Sequence, residues 1–335
     1  DVVQLIAALI EPYEGTLYDP CCGSGGMFIQ SANLVKARQG DISRINIYGQ
    51  EKDAATYRLA KMNLALRGLS HNLGETNDST FTHDLHKGMK FNYIMANPPF
   101  NLKHWYNDNL KNDHRWADYA VPPEGNANYA WILHMLSHLK TQSGIAGFLL
   151  ANGALNDDDT IKIRQKLIQN DKIESIIVLP RELFITTDIS VTLWILNQNK
   201  KGSLKNNRKL RNREHEILFM DLRQMGSPYE KKYIELTAED RKKVTDVFHA
   251  WQQEGEHYEN IPEFCYSASF EEVASKDFTL VPSRYIEFVN RDETVDFDAK
   301  MKTLQSELTD LLKQEEESKA DLLRVFKELG YEIKL

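Results

Sequence analysis

The sequence has few cysteines and no long apolar run. It contains three cysteines in 335 residues, and two of them, Cys21 and Cys22, are adjacent. This excludes a disulfide scaffold and offers no paired C-x-x-C metal site, so we expect a reduced, cytoplasmic protein without a metal. No apolar run approaches the roughly 20 residues that span a bilayer, and no secretory signal is visible, so we expect no membrane association.

The sequence also lacks an excess of positive charge. It has 41 Lys and Arg against 49 Asp and Glu, which gives a net charge of −8. Proteins that bind nucleic acid through its phosphates are normally basic. If this chain acts on DNA, a partner must therefore supply many of the phosphate contacts.

Short apolar runs alternate with helical patterns over residues 1–198. The predicted strands are residues 15–19, 45–50, 91–96, 145–151, 173–179 and 191–197, and another, 217–222, follows a basic stretch. This alternation predicts an α/β fold with a doubly wound, mostly parallel sheet. The connection before residues 191–197 is too short for a helical crossover, so we predict that this strand is antiparallel and lies at the edge of the sheet.

The helical patterns are amphipathic. In residues 53–67 the predicted inward side carries Leu59, Met62, Asn63 and Leu66, and Gly68 closes the helix. His134 and His138 lie four residues apart on another predicted helix. Without the Glu of a zinc-protease motif, we interpret them as surface or core histidines, and Cys21 and Cys22 as packing residues.

We divide the chain into a domain of residues 1–222, a mixed extension of residues 223–290 packed on it, and a tail of residues 291–335. In the first domain, residues 199–215 form a predicted loop. Seven of its residues are basic: Lys200, Lys201, Lys205, Arg208, Lys209, Arg211 and Arg213. We interpret it as a solvated loop, and contact with DNA phosphates is an equally open alternative.

The tail predicts a helix with an apolar seam. Apolar residues recur with a 4,3 spacing from Phe297 to Leu329, interrupted by Glu315 and Ser318, and Gly330 is a plausible helix stop. We favour a coiled-coil contact with a partner. A terminal helix lying on its own domain, or a break at Glu315 between two helices, stays open.

A glycine-rich turn follows the first predicted strand. After Asp19 and Pro20, the turn consists of Gly23, Ser24, Gly25 and Gly26. Glycines let a backbone approach a ligand closely, and doubly wound sheets bind nucleotides at this strand end. No Gly-Lys-Ser/Thr follows, so this is not a phosphate loop. A carboxylate beside such a turn suits a small cationic ligand, an ammonium or sulfonium, although a purely structural turn is the alternative.

Two acidic residues follow at later positions. Glu51 comes directly after the second strand, where a carboxylate can accept both ribose hydroxyls of a nucleoside. Asp84 could accept a hydrogen bond from an adenine amino group. An isolated acid is more often a solvated residue or a helix cap, but the order of these two after the glycine turn favours binding roles.

The segment Asn97-Pro98-Pro99-Phe100 directly follows the predicted strand 91–96. Two prolines fix the backbone and remove two donors. The Asn97 side-chain oxygen and the Pro98 carbonyl can together accept both hydrogens of a planar exocyclic amine, which makes a poor nucleophile reactive, and Phe100 can stack on the ring that carries it. A plain proline turn is the alternative.

These motifs resemble the modification subunit of type I restriction–modification systems, a DNA adenine-N6 methyltransferase. The similarity extends over nearly the whole chain. The segments that carry it are residues 19–28, 97–101, 125–131, 147–153, 163–167, 179–196 and 328–331. It implies a seven-stranded class I S-adenosylmethionine-dependent methyltransferase sheet in residues 1–222. The implied activity is site-specific methyl transfer from S-adenosylmethionine to the N6 amine of an adenine rotated out of DNA.

The resemblance also implies roles for single residues. It assigns the methionine part of the donor to Asp19 and the turn 23–26, the donor ribose to Glu51, and the donor adenine to Asp84 with the Leu85 backbone. The target base falls to the segment 97–100. Phe184 loosely matches an aromatic residue that covers the other face of that base.

The implied partners are DNA, a specificity subunit contacted through the C-terminal helices, a second modification subunit and a restriction endonuclease subunit. One departure is that the family's helical N-terminal region and a Thr-Pro block would precede Asp1, so we expect a fragment without that domain. Another is that the region around residues 156–160 is short. A methyltransferase for another planar amide or amine, such as a protein glutamine, and a non-catalytic scaffold are the alternatives.

Overall fold

The structure is a computed structural model that describes residues 2–37, 40–184, 189–229, 233–289 and 297–328. The chain divides into two compact units, residues 1–287 and residues 288–335. The first is an α/β unit built around one large sheet, and the second contains a single long helix among its described residues.

Among the described residues, the strands β1–β13 are, in chain order, Gly15–Asp19, Ile45–Gly49, His71–Asn72, Tyr93–Ala96, Ile145–Ala151, Ile173–Val178, Val191–Asn197, Ser203–Lys205, Arg208–Leu210, Glu216–Asp221, Ser227–Tyr229, Tyr233–Glu235 and Cys265–Ser269. The helices α1–α8 are Val2–Ile10, Gly26–Ala37, Ala54–Leu66, Asn128–His138, Ile161–Gln169, Ala238–Gln252, Phe270–Ser275 and Phe297–Glu328.

The main sheet has the strand order β13-β10-β6-β7-β5-β4-β1-β2-β3. β7 pairs antiparallel with both β5 and β6, and β13 pairs antiparallel with β10 at one edge. The predicted mostly parallel α/β sheet is confirmed, but the described residues contribute nine strands to it rather than seven. The predicted edge position of residues 191–197 is wrong, because β7 lies between β5 and β6 and pairs with both of them.

Helices cover both faces of this sheet. Every residue of β5, β6 and β7 is buried, as expected for strands covered on both sides. One core lies between the sheet and α4 and α5, and the other between the sheet and α1, α2, α3 and α6. Because the helices occupy the faces, the carboxyl ends of the parallel strands are left for a site.

Helix α3 packs through a different side than predicted. Its buried residues are Tyr57, Ala60 and Leu64, whereas Leu59, Met62 and Leu66 are 42%, 54% and 77% exposed. Both sets have helical spacing. The buried set contains the small Ala60, which allows close packing, and Tyr57, whose hydroxyl donates to the Gly74 carbonyl over 2.8 Å.

The basic stretch 199–215 is not a solvated loop. Its centre is the β8–β9 hairpin, and all seven basic side chains contact an acid or a carbonyl of the same unit. The pairs are Lys200–Asp171, Lys201–Glu214, Lys205–Ile10 carbonyl, Arg208–Glu11, Lys209–Glu254, Arg211–Glu216 and Arg213–Glu174. Most of this positive charge is therefore neutralised within the fold.

The described part of the tail is one helix, α8, which passes Glu315 without a break. Its seam residues are exposed: Met301, Leu304, Leu308, Leu311, Leu322 and Val325. The predicted seam residue Leu329 and the helix stop Gly330 lie outside the described residues. Within the described ranges, no helix combines the length and apolarity that crossing a bilayer requires.

Candidate active site

A cleft of about 960 Å³ opens at the carboxyl ends of β1, β2 and β4. We call it the main cleft, and it is lined by residues 20–21, 51–54, 77–82, 97, 99, 102–105 and 131. Its volume is in the range of small-molecule sites. Pro20 and Cys21, which begin the glycine turn, and Asn97 and Pro99 of the proline segment thus open into one space.

The glycine turn leads from β1 into α2. Gly23 and Gly25 have φ angles of 53° and 86°, a region that glycine adopts without steric cost. The Gly25 N–H donates to the Cys22 carbonyl over 2.8 Å. From outside the turn, the Asn63 amide donates to the Ser24 carbonyl over 3.0 Å. The turn is thus held by its own backbone and by α3.

Asp19 lies beneath the start of the turn. It is 2% exposed, and its carboxylate accepts the Cys21 N–H over 3.0 Å. Burial raises the pKa of Asp19 to about 7, and the nearby negative charge of Glu51 adds to the rise. Asp19 itself does not line the main cleft, although its neighbours Pro20 and Cys21 do. A cation bound close to Asp19 would favour its ionised form.

Glu51 lines the main cleft and is fixed at both oxygens. Its Oε2 accepts the Gly23 N–H over 3.0 Å, and its Oε1 accepts the Asp53 N–H over 2.9 Å. One carboxylate therefore joins the glycine turn to the start of α3. Each oxygen keeps a second lone pair with which it can accept a ligand hydroxyl.

The proline segment forms a corner directly after β4. Asn97 and Pro99 are exposed and line the main cleft, whereas Pro98 is buried and Phe100 is half-buried. Within the described part of the chain, no residue hydrogen-bonds to the Asn97 side chain. The corner thus presents an amide to the cleft and anchors itself through the Pro98 ring.

Phe100 and Phe184 contact each other. Their ring centroids lie 6.4 Å apart, and the rings are inclined by 81° in a T-shaped pair. Neither ring lines the main cleft. Two rings that sandwich a planar base must present facing surfaces, so one of these rings would have to turn before a base could enter.

The segment 125–131 supports the corner. Asn101, with a φ angle of 53°, follows Phe100. Its N–H donates to the Asn128 side-chain oxygen over 3.1 Å, and its own side-chain oxygen accepts from Asn128 and Asn126 over 2.9 and 3.1 Å. Sequence reasoning noted this segment without a role, and the structure makes it a brace of the corner.

Asp84 and Leu85 lie away from the main cleft. An Asp84 oxygen is 3.1 Å from His138 Nε2, and the other accepts the His86 N–H over 3.0 Å. The Leu85 N–H donates to the buried Gln50 side chain over 3.1 Å. Asp84 belongs to the loop between β3 and β4, and the acid of this loop that lines the cleft is Asp78. A hydrogen bond from His83 lowers the pKa of Asp78. The structure thus does not bring Asp84 together with the other predicted site residues.

His134 is a buried core histidine. Its Nδ1 lies 3.1 Å from Nη1 of Arg115, its Nε2 lies 3.0 Å from the Tyr18 hydroxyl, and burial holds its pKa well below the usual value. Ligand atoms of Asp84, His134 and His138 lie within 4.8 Å of one another. Both His134 nitrogens are already engaged, however, and the Arg115 cation adjoins the group, which opposes metal binding.

Sequence reasoning missed an aromatic wall of the main cleft. Phe81 packs against Trp131 and Trp105, with ring centroids 4.2 and 4.9 Å apart, and all three line the cleft. Trp131 belongs to the segment 125–131, and this was the only feature of the sequence that pointed to the aromatic wall. Such a wall suits a flat apolar or aromatic ring.

The comparisons with known proteins agree with this geometry. A model of the N-6 DNA methylase family matches residues 1–294. The chain belongs to this family. It is 40% identical over 334 residues to the HindI type I restriction enzyme methylase subunit of Haemophilus influenzae, covering 99% of this chain and 72% of that protein. The predicted resemblance to type I modification subunits is thus confirmed.

Solved structures give the same result for the fold of this N-6 DNA methylase family member. The type I methyltransferase subunit of Streptococcus thermophilus has 25% identity and a TM-score of 0.73, covering 85% of this chain and 58% of that one. A class I S-adenosylmethionine-dependent methyltransferase of Listeria monocytogenes has 17% identity and a TM-score of 0.56, covering 75% and 68%. The predicted methyltransferase fold is confirmed, and the chain spans only part of each relative's length.

Proposed function

We propose that this chain is the modification subunit of a type I restriction–modification complex and methylates the N6 amine of adenine in DNA, with S-adenosylmethionine as donor. One observation carries the proposal. The main cleft joins the glycine-turn side, with Glu51, to the corner that presents Asn97. A donor site and an amine-binding corner that share one space are what such a transfer requires.

On the donor side, the proposal assigns the ribose hydroxyls to Glu51, whose carboxylate is already oriented. Asp78 replaces Asp84 as the acceptor for the donor adenine amine, because Asp78 lines the cleft. The proposal assigns the cationic methionine part to Asp19 and the turn 23–26, which adjoin Pro20 and Cys21 of the main cleft. When bound, S-adenosylmethionine supplies a methyl group made electrophilic by the sulfonium.

On the target side, the Asn97 side-chain oxygen and the Pro98 carbonyl accept the two hydrogens of the adenine amine. This favours a pyramidal, nucleophilic nitrogen, and the buried Pro98 ring keeps the two acceptors in fixed relation. Phe100 stacks on the base after the Phe100–Phe184 pair opens. Rotating the adenine out of the duplex costs a few kcal/mol, which contacts in the pocket offset. Asn97 is not a base, so the released proton passes to water.

The proposed partners follow from charge and from the tail. The net charge is −8, and the charges of the basic stretch 199–215 are mostly paired within the fold, so a specificity subunit would supply most of the phosphate contacts. The exposed seam of α8 is the proposed contact with that subunit. A second modification subunit and a restriction endonuclease subunit complete the proposed complex.

The test is tritiated methyl transfer from S-adenosylmethionine by the full-length protein, with and without its specificity subunit. We expect label in DNA, as N6-methyladenine, only when the specificity subunit is present. Label in glutamine-containing peptides but not in DNA would overturn the assignment in favour of a protein methyltransferase. Donor binding without transfer to either substrate would indicate a scaffold.

A further inference from the structure

Arg115 is a buried cation in the segment that follows the Asn97–Phe100 corner. Its guanidinium donates to two carbonyls of another loop, over 3.0 Å to Thr80 and 2.6 Å to Phe81. Thr80 and Phe81 both line the main cleft, next to Asp78. The side of the cleft assigned to the donor adenine is therefore held by a side chain from the target side.

The same guanidinium also fixes its own segment and α4. Its Nε and Nη2 each donate to a carboxylate oxygen of Asp113 over 2.8 Å, and Nη1 lies 3.1 Å from His134 Nδ1. Its cationic carbon lies 5.0 Å from the Trp116 ring centroid. A buried charge with this many partners cannot lose one of them without cost.

We propose that Arg115 is a positioning residue that couples the donor side of the main cleft to the segment after the target corner. The inference rests on the proposed function, since it assigns the loop 78–81 to the donor. Arg115 touches neither reactant. It acts by fixing the Thr80 and Phe81 carbonyls, and through them the direction in which Asp78 faces the cleft.

The Arg115→Lys substitution would keep the positive charge but lose the hydrogen bonds that position the loop 78–81. A guanidinium presents five N–H donors in a rigid plane, whereas an ammonium is a point charge on a flexible stem. It cannot satisfy two carbonyls and both oxygens of Asp113 at once. Arg115→Lys therefore removes the geometric coupling with little change in electrostatics.

Arg164 offers a matched control. It is as buried as Arg115, and its guanidinium also donates to two backbone carbonyls, those of Phe278 and Asp157, over 3.0 and 2.9 Å. It does not belong to the set of residues that line the main cleft. Arg164→Lys thus removes a buried guanidinium with two carbonyl partners at a position away from the proposed donor site.

The first measurement uses the assembled full-length enzyme. For Arg115→Lys we expect S-adenosylmethionine binding, by calorimetry, to weaken at least tenfold and KM for the donor to rise equally, with kcat within about threefold of wild type. For Arg164→Lys we expect donor affinity within about twofold of wild type. Equal weakening in both variants would show a general stability effect and overturn the inference.

The second measurement needs no ligand. The Asp78 N–H donates to the Glu51 carbonyl over 3.0 Å, and the His83 N–H to the Ser79 carbonyl over 2.9 Å. We expect hydrogen exchange at both amides to be at least tenfold faster in Arg115→Lys and unchanged in Arg164→Lys. Unchanged exchange in Arg115→Lys overturns the inference. If the wild type binds no donor, the proposed function fails, and the exchange result still decides whether Arg115 holds the loop.

Discussion

Replacing Asn97 with alanine separates chemistry from folding. The Asn97 side chain is exposed, and no described residue hydrogen-bonds to it. Exposed substitutions away from special features change stability by no more than about 0.5 kcal/mol. For a unit of this size that corresponds to a shift in Tm of roughly 1–2 °C. Asn97→Ala should therefore fold like the wild type.

The effect on transfer should be far larger. Asn97 supplies one of the two acceptors that the proposed transition state uses, and removing one preorganised hydrogen-bonding group from such a site costs about 10²–10³ in kcat. Glu51, Asp78 and the glycine turn are untouched by the substitution. Donor affinity should consequently stay within about twofold of wild type, a far smaller effect than the loss in kcat.

The assay is tritiated methyl transfer to DNA by the assembled enzyme, beside calorimetric donor binding and thermal unfolding of the same preparation. Asn33→Ala, at an exposed position of α2 outside the main cleft, is the control and should keep full activity. Activity of Asn97→Ala within tenfold of wild type would refute the role of the corner. A large fall in the Tm of Asn97→Ala would refute the claim that the Asn97 side chain contributes little to stability.

Three further predictions follow from the charges. Burial raises the pKa of Asp19 to about 7, and a bound cation favours its ionised form. Donor affinity should therefore rise with pH by up to about tenfold per pH unit and level off above pH 7. Calorimetry of the Asp19→Asn variant should show an affinity that does not change with pH. Burial also lowers the pKa of His249 to about 4. The free energy of unfolding should therefore fall by about 3 kcal/mol in total as pH drops from 6.5 toward 4. In urea unfolding, the His249→Gln variant should lack this loss. Lys201 and Lys209 are the exposed basic side chains of the stretch 199–215, at 72% and 73%, yet each faces an acid. Replacing both with alanine should therefore leave the salt dependence of DNA binding unchanged, and a clearly shallower dependence would show that DNA contacts this stretch.

Strands made of continuous apolar runs were predictable from the sequence. The predicted and observed bounds agree for β5 and β7, because strands buried on both faces consist mostly of apolar residues. They also agree for β1, whose end is marked by Asp19 and Pro20 rather than by a long apolar run. The two-residue strand β3 and the partly polar β13 have no such run and were missed. The interior position of β7 follows from its insertion between β5 and β6, which no local pattern encodes.

Side-chain partners were predictable only where they are local. The corner 97–100 and the glycine turn carry their geometry in proline and glycine, so the sequence indicated both. The loop between β3 and β4 holds several acids, and spacing alone does not show that Asp78 rather than Asp84 faces the cleft. The basic stretch likewise appeared free, since its partners come from Glu11, Asp171, Glu174 and other distant positions.

The bonds at Glu51 affect how a ligand is recognised. A free glutamate loses up to about 2 kcal/mol of rotamer entropy when a ligand immobilises it. Here the amides of Gly23 and Asp53 hold the carboxylate in one orientation, so that entropy was already lost during folding. A sugar that meets this carboxylate needs no adjustment from it. Any displacement of the Gly23 amide would also rotate this carboxylate. A change in the shape of the glycine turn would therefore weaken the binding of any sugar whose hydroxyls Glu51 accepts.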